Sequence, residues 1–304
     1  MFEGSMVAIV TPSKNGKIDY PRLKKLIDFH IEEGTDVIVP CGTTGEAATM
    51  SLKEHSDVLS FTVDHVGGRV PVICGAGSNN TEEALLLVKH AKKIKADGVL
   101  VVTPYYNKPS QEGLYRHFEF LAKKVNIPFV LYNVPSRTGI SITPDTVVRL
   151  SKISNIVGIK EASGSLDQAA EIIARTNLDV ISGEDGLTFP LMAIGAKGAI
   201  SVVANVAPKL NAQMIRHCLE GDYEAGRKIH YQLLELINTL FIETNPIPTK
   251  TALGMMGMLN EEFRLPLCSM SKEKKATLKK VLNKYGLIKH GKRTANSGLR
   301  KTKA

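Results

Sequence analysis

The chain has 304 residues, enough for one large domain or two small ones, and its 43% hydrophobic content is that of a globular protein with a sizeable core. No apolar run is long enough to cross a bilayer, and residues 1–4 lack the basic start and apolar core of a secretory leader, so neither a membrane span nor a leader is expected. The net charge of +9 is unevenly spread, because six positive charges (Lys289, Lys292, Arg293, Arg300, Lys301 and Lys303) sit in an acid-free stretch over 289–304 that could touch an anionic polymer, leaving +3 on the rest. That stretch has little to bury and reads as a solvated, disordered tail. The four cysteines, Cys41, Cys74, Cys218 and Cys268, show no CxxC spacing and no paired histidines. Cys41 and Cys74 end apolar runs and read as small buried hydrophobes, which fits a reducing, cytoplasmic setting.

From residue 5 to about 205 an apolar run is followed by a helical pattern, again and again. The first run is 6–10. A helix over 21–33 follows, with Leu23, Leu26, Ile27 and His30 on one face, and Gly34 ends it. The second run, 37–40, leads into the loop Cys41-Gly42-Thr43-Thr44-Gly45-Glu46. Ser51 with Glu54 then makes a capping-box start to the next helix. The third run is 70–74, and Thr81-Glu82-Glu83 opens a helix that ends near 95. The fourth, 98–102, ends in Thr103-Pro104-Tyr105-Tyr106, and Ser110 and Gln111 begin another helix. The fifth is 128–135, after which Thr143-Pro144-Asp145 caps a helix with proline at its first position. The sixth, Ile156-Val157-Gly158-Ile159-Lys160, ends abruptly in a lysine, and a helical pattern restarts at Ser165. The seventh is 178–183 and the eighth 198–203.

Eight apolar, β-branched-rich runs with helices between them are βα units, and continuous apolar runs mark strands buried on both faces. Their number and length predict an α/β fold, a (β/α)8 TIM barrel. A doubly wound open sheet would want a glycine-rich phosphate loop after an early strand, and Val10-Thr11-Pro12-Ser13 is not one. Beyond Pro208 only helices are expected, over 211–218, 223–241, 249–257 and 272–282, with Asn245-Pro246-Ile247-Pro248 breaking the chain between two of them. The organisation is thus a barrel core over 1–207, its last helix and a C-terminal helical extension over 208–288, and the basic tail over 289–304.

In such a barrel the C-terminal strand ends carry the active site. Those ends supply Thr43 and Thr44, Tyr105 and Tyr106, Tyr132 with Arg137 just beyond it, Lys160, and Gly183. They combine one amine, several hydroxyls, a backbone carbonyl and a fixed cation. No Asp, Glu or His cluster there has metal-ligand spacing, and no Ser-His-Asp set is present. An amine partly desolvated at a barrel mouth is favoured in its neutral, nucleophilic form. The set suits Schiff-base chemistry, with lysine attacking a keto group and hydroxyls moving the protons. Taken singly, each residue has a plainer reading: a turn, a packing ring, a surface arginine.

The motifs Gly42-Thr43-Thr44-Gly45-Glu46, Tyr132-Asn133-Val134-Pro135-Ser136-Arg137-Thr138-Gly139 and Gly158-Ile159-Lys160-Glu161-Ala162 resemble, in order and spacing, the pyruvate-dependent class I aldolase superfamily of dihydrodipicolinate synthases and N-acetylneuraminate lyases. The resemblance runs from residue 5 to about 287. It implies a lyase of lysine and diaminopimelate biosynthesis that condenses pyruvate with L-aspartate 4-semialdehyde and needs no cofactor beyond the covalent imine at Lys160. Arg137 with Thr43-Thr44 favours this branch over an aldolase acting on N-acetylneuraminate or a sugar acid. Tyr132 would be the proton donor and acceptor, with Thr43 linking it to Tyr106 of a neighbouring subunit. Thr44 would hold the pyruvate carboxylate, Arg137 the carboxylate of the second substrate, and Gly183 and Ile200 would line the pocket. The resemblance further implies a homo-oligomer, a tetramer built as a dimer of dimers. It also points to a candidate lysine effector site at His55, Asn79, Glu83 and Tyr105, with Ala47 and Leu52 standing where inhibited members often carry polar residues. Neither a nucleic-acid nor a membrane partner is implied.

Overall fold

The computed structural model describes residues 1–288. The basic stretch over 289–304 lies outside the described residues. The apolar runs become eight parallel strands, β1 (Gly4–Ala8), β2 (Val37–Val39), β3 (Ile73–Gly75), β4 (Gly98–Val102), β5 (Phe129–Asn133), β6 (Ile156–Glu161), β7 (Asp179–Ser182) and β8 (Gly198–Ser201). They pair in the order β2-β1-β8-β7-β6-β5-β4-β3. The two ends of that order also meet, through a bridge between Ile38 and Val72 and a bond from the Gly75 amide to the Pro40 carbonyl (3.0 Å). The sheet therefore closes into a (β/α)8 TIM barrel. β3 starts later than its apolar run because Pro71 has no amide to give the ladder, although its carbonyl still accepts from Ile38 (3.1 Å).

Around the barrel run α1 (Tyr20–Glu32), α2 (Leu52–Val66), α3 (Thr81–Lys93), α4 (Gln111–Lys124), α5 (Pro144–Leu150), α6 (Leu166–Arg175), α7 (Thr188–Ala193) and α8 (Pro208–Leu219). Local signals set several of their starts. Ser51 accepts from the Glu54 amide while the Glu54 carboxylate accepts from the Ser51 amide, so two otherwise orphaned donors at the head of α2 are satisfied. Pro144 opens α5 at the position where a missing amide costs nothing. A small hairpin, Ser13–Lys14 with Lys17–Ile18, precedes α1, and no apolar pattern announced it.

Alternation along the strands divides the core into two layers. Met6, Ala8, Val37, Val39, Ile73, Leu100, Val130, Tyr132, Ile181 and Ile200 fill the barrel interior. Their neighbours, among them Val7, Ile38, Val99, Val101, Leu131, Ile159 and Val180, pack outward under the helices. Each large aliphatic side chain so buried contributes about 1.5–3 kcal/mol.

Among the described residues three further helices follow the barrel: α9 (Tyr223–Thr239), α10 (Ile247–Met255) and α11 (Lys272–Lys284). α9 packs on α8, and α11 packs on both α9 and α10. All seven residues from 247 to 253 of α10 are buried, Lys250 included. Among the described residues no helix is long and apolar enough to cross a membrane.

Candidate active site

The strand register places Lys160. Val102, Tyr132, Lys160 and Ile181 are partners in one row across β4 to β7. Tyr132 and Ile181 belong to the interior cluster and Val102 packs against it, so Lys160 points inward as well. It is 6% exposed, and its Nζ lies 4.4 Å from the centroid of the Tyr132 ring. Gly183, just past β7, makes room for the lysine stem. A Cβ built there would stand 2.7 Å from Ala162 Cβ and 3.0 Å from Lys160 Cε. The next row, Asn133 with Glu161, faces the other way. The Asn133 amide donates to both Glu161 oxygens (3.1 and 3.2 Å), and Glu161 also accepts from the Ser163 amide (2.7 Å) and from Gln168 (3.1 Å). Asn133 Oδ1 takes the Ile142 amide (3.1 Å). This outward pair ties the loops after β5 and β6 to the strand ends.

The Thr43-Thr44 loop is a tight turn between two left-handed residues, Cys41 (φ 55) and Glu46 (φ 56). The Gly45 amide donates to the Gly42 carbonyl and the Glu46 amide to the Thr43 carbonyl, each at 3.1 Å. Thr43 is half-buried and Thr44 is buried. The Thr44 hydroxyl accepts from Asn245 Nδ2 at 2.9 Å. Beyond the turn, the Glu46 carboxylate forms an ion pair with Lys250 of α10, and the two side chains are 4% and 1% exposed. Burial lowers the pKa of the Lys250 ammonium, and the Glu46 charge opposes that shift.

Arg137 lies on a one-turn helix, Pro135–Thr138, closed by Gly139 in the left-handed region (φ 73), a conformation that glycine adopts without strain. Arg137 is exposed, and its guanidinium donates to the Asn245 carbonyl (3.1 Å). Asp185, after β7, is buried. Its carboxylate accepts from the amides of Val202 (3.0 Å) and Val203 (2.7 Å), joining the ends of β7 and β8 beside Ile200. Burial pushes its pKa up, while hydrogen bonds and the Lys160 charge pull it down.

One cavity of about 660 Å³ brings Thr43, Tyr105, Tyr132, Arg137 and Asn245 onto a common wall. Lys160, Thr44, Gly183 and Ile200 are not among its lining residues, and Lys160 sits behind the Tyr132 ring. Tyr106 is not brought in at all. It is 89% exposed, with a strained left-handed backbone (φ 71). Three of the four candidate effector residues, His55, Glu83 and Tyr105, line the same cavity, and Asn79 does not. His55 Nε2 meets the Gly75 carbonyl at 2.8 Å, and burial lowers its pKa, so the ring is a neutral donor. Glu83 accepts from Ser78 (2.9 Å). Among the described residues no group of three metal-binding side chains comes together.

Asn245 and Lys250 are the residues that sequence reasoning missed. In the sequence Asn245 stands only within a proline-rich break, and Lys250 is only one position of an expected helix. The signal available for Lys250 was a charge within an otherwise apolar and small segment, Ile247 to Leu253. The partner of each is some two hundred residues away in sequence, so spacing could not reveal either contact.

A sequence profile of the dihydrodipicolinate synthetase family matches residues 1–285. A 4-hydroxy-tetrahydrodipicolinate synthase from Syntrophobacter fumaroxidans is 56% identical over 291 residues, covering 95% of this chain and 100% of that one. The crystal structure of dihydrodipicolinate synthase from Aquifex aeolicus is 51% identical with a TM-score of 0.94, over 95% of this chain and 100% of that one. A solved structure described as the first monomeric dihydrodipicolinate synthase variant is 43% identical with a TM-score of 0.92, over 94% and 98% of the two chains. With the family's sequence pattern running through barrel and extension alike, and a solved member's fold matched over nearly the whole chain, the chain belongs to the dihydrodipicolinate synthetase family.

Proposed function

We propose that the protein condenses pyruvate with L-aspartate 4-semialdehyde through an imine at Lys160. This is the 4-hydroxy-tetrahydrodipicolinate synthase reaction of lysine and diaminopimelate biosynthesis. The protein is a lyase. The observation that carries the mechanism is the pairing of Lys160 with Tyr132 in one inward-facing row, amine against phenol ring. The Lys160 amine attacks the keto carbon of pyruvate and water leaves. The imine is the electron sink, so a methyl proton departs and an enamine forms. The enamine attacks the aldehyde carbon of the second substrate. That substrate's own amine then displaces Lys160 and closes the ring. No other cofactor is required.

Tyr132 is the proton carrier of these steps, with Thr43 linking it to Tyr106. Thr44 holds the pyruvate carboxylate, and Arg137 holds the carboxylate of the aldehyde by a charge-assisted bond. Gly183 and Ile200 line the pocket around the imine, with Gly183 packed against the Lys160 stem. The near-complete exposure of Tyr106 in a single chain supports its entering a neighbouring subunit's site. At least a dimer is then needed, and the assembly is a tetramer built as a dimer of dimers. His55, Asn79, Glu83 and Tyr105 form the lysine effector site, with His55, Glu83 and Tyr105 on the cavity wall. The free thiols Cys41, Cys74 and Cys218, all buried, and the exposed Cys268 accord with a cytoplasmic location.

Borohydride reduction in the presence of pyruvate should leave a stable mass on the peptide carrying Lys160. No adduct there would overturn the imine mechanism. Turnover of aspartate semialdehyde but not of N-acetylneuraminate should separate this reaction from the retro-aldol alternative.

A further inference from the structure

Asn245 belongs to the helical extension, yet it touches two residues of the barrel site. It is 4% exposed. Its backbone carbonyl accepts from Arg137 (3.1 Å), its Nδ2 donates to the Thr44 hydroxyl (2.9 Å), and its Oδ1 accepts from the Thr249 hydroxyl (3.2 Å). Thr249 is fully buried on α10, and its hydroxyl meets the Oδ1 end of the amide while the Nδ2 end faces Thr44. Five residues beyond Asn245, Lys250 is locked to Glu46, which lies two residues past Thr44. The two segments are therefore held at both ends of the contact.

A hydroxyl has one proton to give and two lone pairs to receive. With an amide donor on one lone pair of Thr44 Oγ1, the remaining proton is the group free to point at an anion. Had the amide faced the other way, its oxygen would consume that proton, and Thr44 would offer only lone pairs to a carboxylate. We propose that Asn245 is a positioning residue whose side-chain amide, oriented by Thr249, fixes the Thr44 hydroxyl as a donor to the pyruvate carboxylate. This rests on the reading of Thr44 given above. It makes the extension part of the active site and gives the two ends of Asn245 separate duties: the side chain serves pyruvate, and the backbone carbonyl serves Arg137 and the second substrate.

The test is steady-state kinetics of the full-length enzyme with both substrates varied. Asn245→Asp keeps the size but has no N–H, and its carboxylate takes the Thr44 proton. The KM for pyruvate should rise about ten- to a hundred-fold, the range expected for losing a hydrogen bond to a charged group. The KM for aspartate semialdehyde should change less than about two-fold, because the backbone carbonyl that holds Arg137 is retained. An unchanged pyruvate KM would overturn the proposal. So would a parallel rise in both values, since a new negative charge or a general loosening would act on both anionic substrates. Should Asn245→Asp fail to fold, Thr249→Val takes its place. It is of equal volume and frees the amide to turn, so the pyruvate KM alone should rise about three- to ten-fold; no rise would refute the orientation. Borohydride trapping on the wild type separates the two levels. Absence of a Lys160 adduct defeats the reading of the function, whereas an adduct with unaltered pyruvate KM in the variants defeats only the role of Asn245.

Discussion

The ion pair between Glu46 and Lys250 buries two opposite charges beside the candidate site. Lys250→Met removes the cation at nearly constant volume. The Glu46 carboxylate, with its side chain 4% exposed, would keep only a long bond from the Arg264 amide (3.4 Å). Stranding a buried charge in this way costs about 3–5 kcal/mol. For a chain of this size a loss of 1 kcal/mol moves the melting temperature by about 2 °C, so the variant should melt about 6–10 °C below wild type. The companion double variant, Glu46→Gln with Lys250→Met, leaves no charge to strand and should recover all but about 2 kcal/mol. Urea titrations of the two single variants and the double variant, read by circular dichroism, give the coupling directly. A Lys250→Met single variant within about 1 kcal/mol of wild type would refute the reasoning, because it would mean that Glu46 carries no desolvated charge.

Gly183→Ala should lower kcat by about a hundred-fold and the melting temperature by about 2–6 °C, because its Cβ would collide with Ala162 and with the Lys160 stem and push the amine off its line; unchanged single-turnover imine trapping would contradict this. Arg137→Ala should raise the KM for aspartate semialdehyde by about ten- to a hundred-fold and leave pyruvate trapping at Lys160 intact, and loss of trapping would place Arg137 on the wrong substrate. Burial holds the His30 imidazole at about 3 against 6.5 for the free group, so as the pH falls below 6.5 the unfolded chain takes up a proton that the folded chain refuses, and stability drops. Between pH 7.5 and 5 this term is worth about 2 kcal/mol; His30→Leu should flatten the pH dependence of urea stability by that amount, and an unchanged slope would show that His30 is hydrated in the folded state.

The sequence made the barrel legible because its strands lie in largely apolar runs and several of its helices bring their own start signals. Ser51 with Glu54 and Pro144 are examples in which residues three or four apart decide the structure, and the corresponding helices begin where those residues stand. The third strand was drawn too long because Pro71 looks apolar to a hydrophobic pattern yet cannot donate to a ladder. The hairpin at residues 13–18 escaped because it is held from outside: Glu262 accepts its Asn15 and Gly16 amides, and Arg264 donates to its Gly16 carbonyl.

The candidate site divides along the same line. Lys160, Tyr132, Thr43, Thr44 and Arg137 could be singled out because each ends a strand or follows one, and strand ends of a parallel barrel face one side whatever the details of packing. Alternation then puts Lys160 and Glu161 on opposite faces of the strand, and the register with Tyr132 and Ile181 makes Lys160 the inward one. What the sequence alone could not decide is how those groups are held. The Thr44 hydroxyl is oriented from Asn245, 201 positions away, and Glu46 is neutralised by Lys250, 204 positions away. Hydrogen bonds and ion pairs act over about 3 Å of space and carry no period along the chain. Composition, alternation and capping therefore determined the barrel and the residues at its mouth. Only closure of the barrel with α10 laid against it decided which atoms face which.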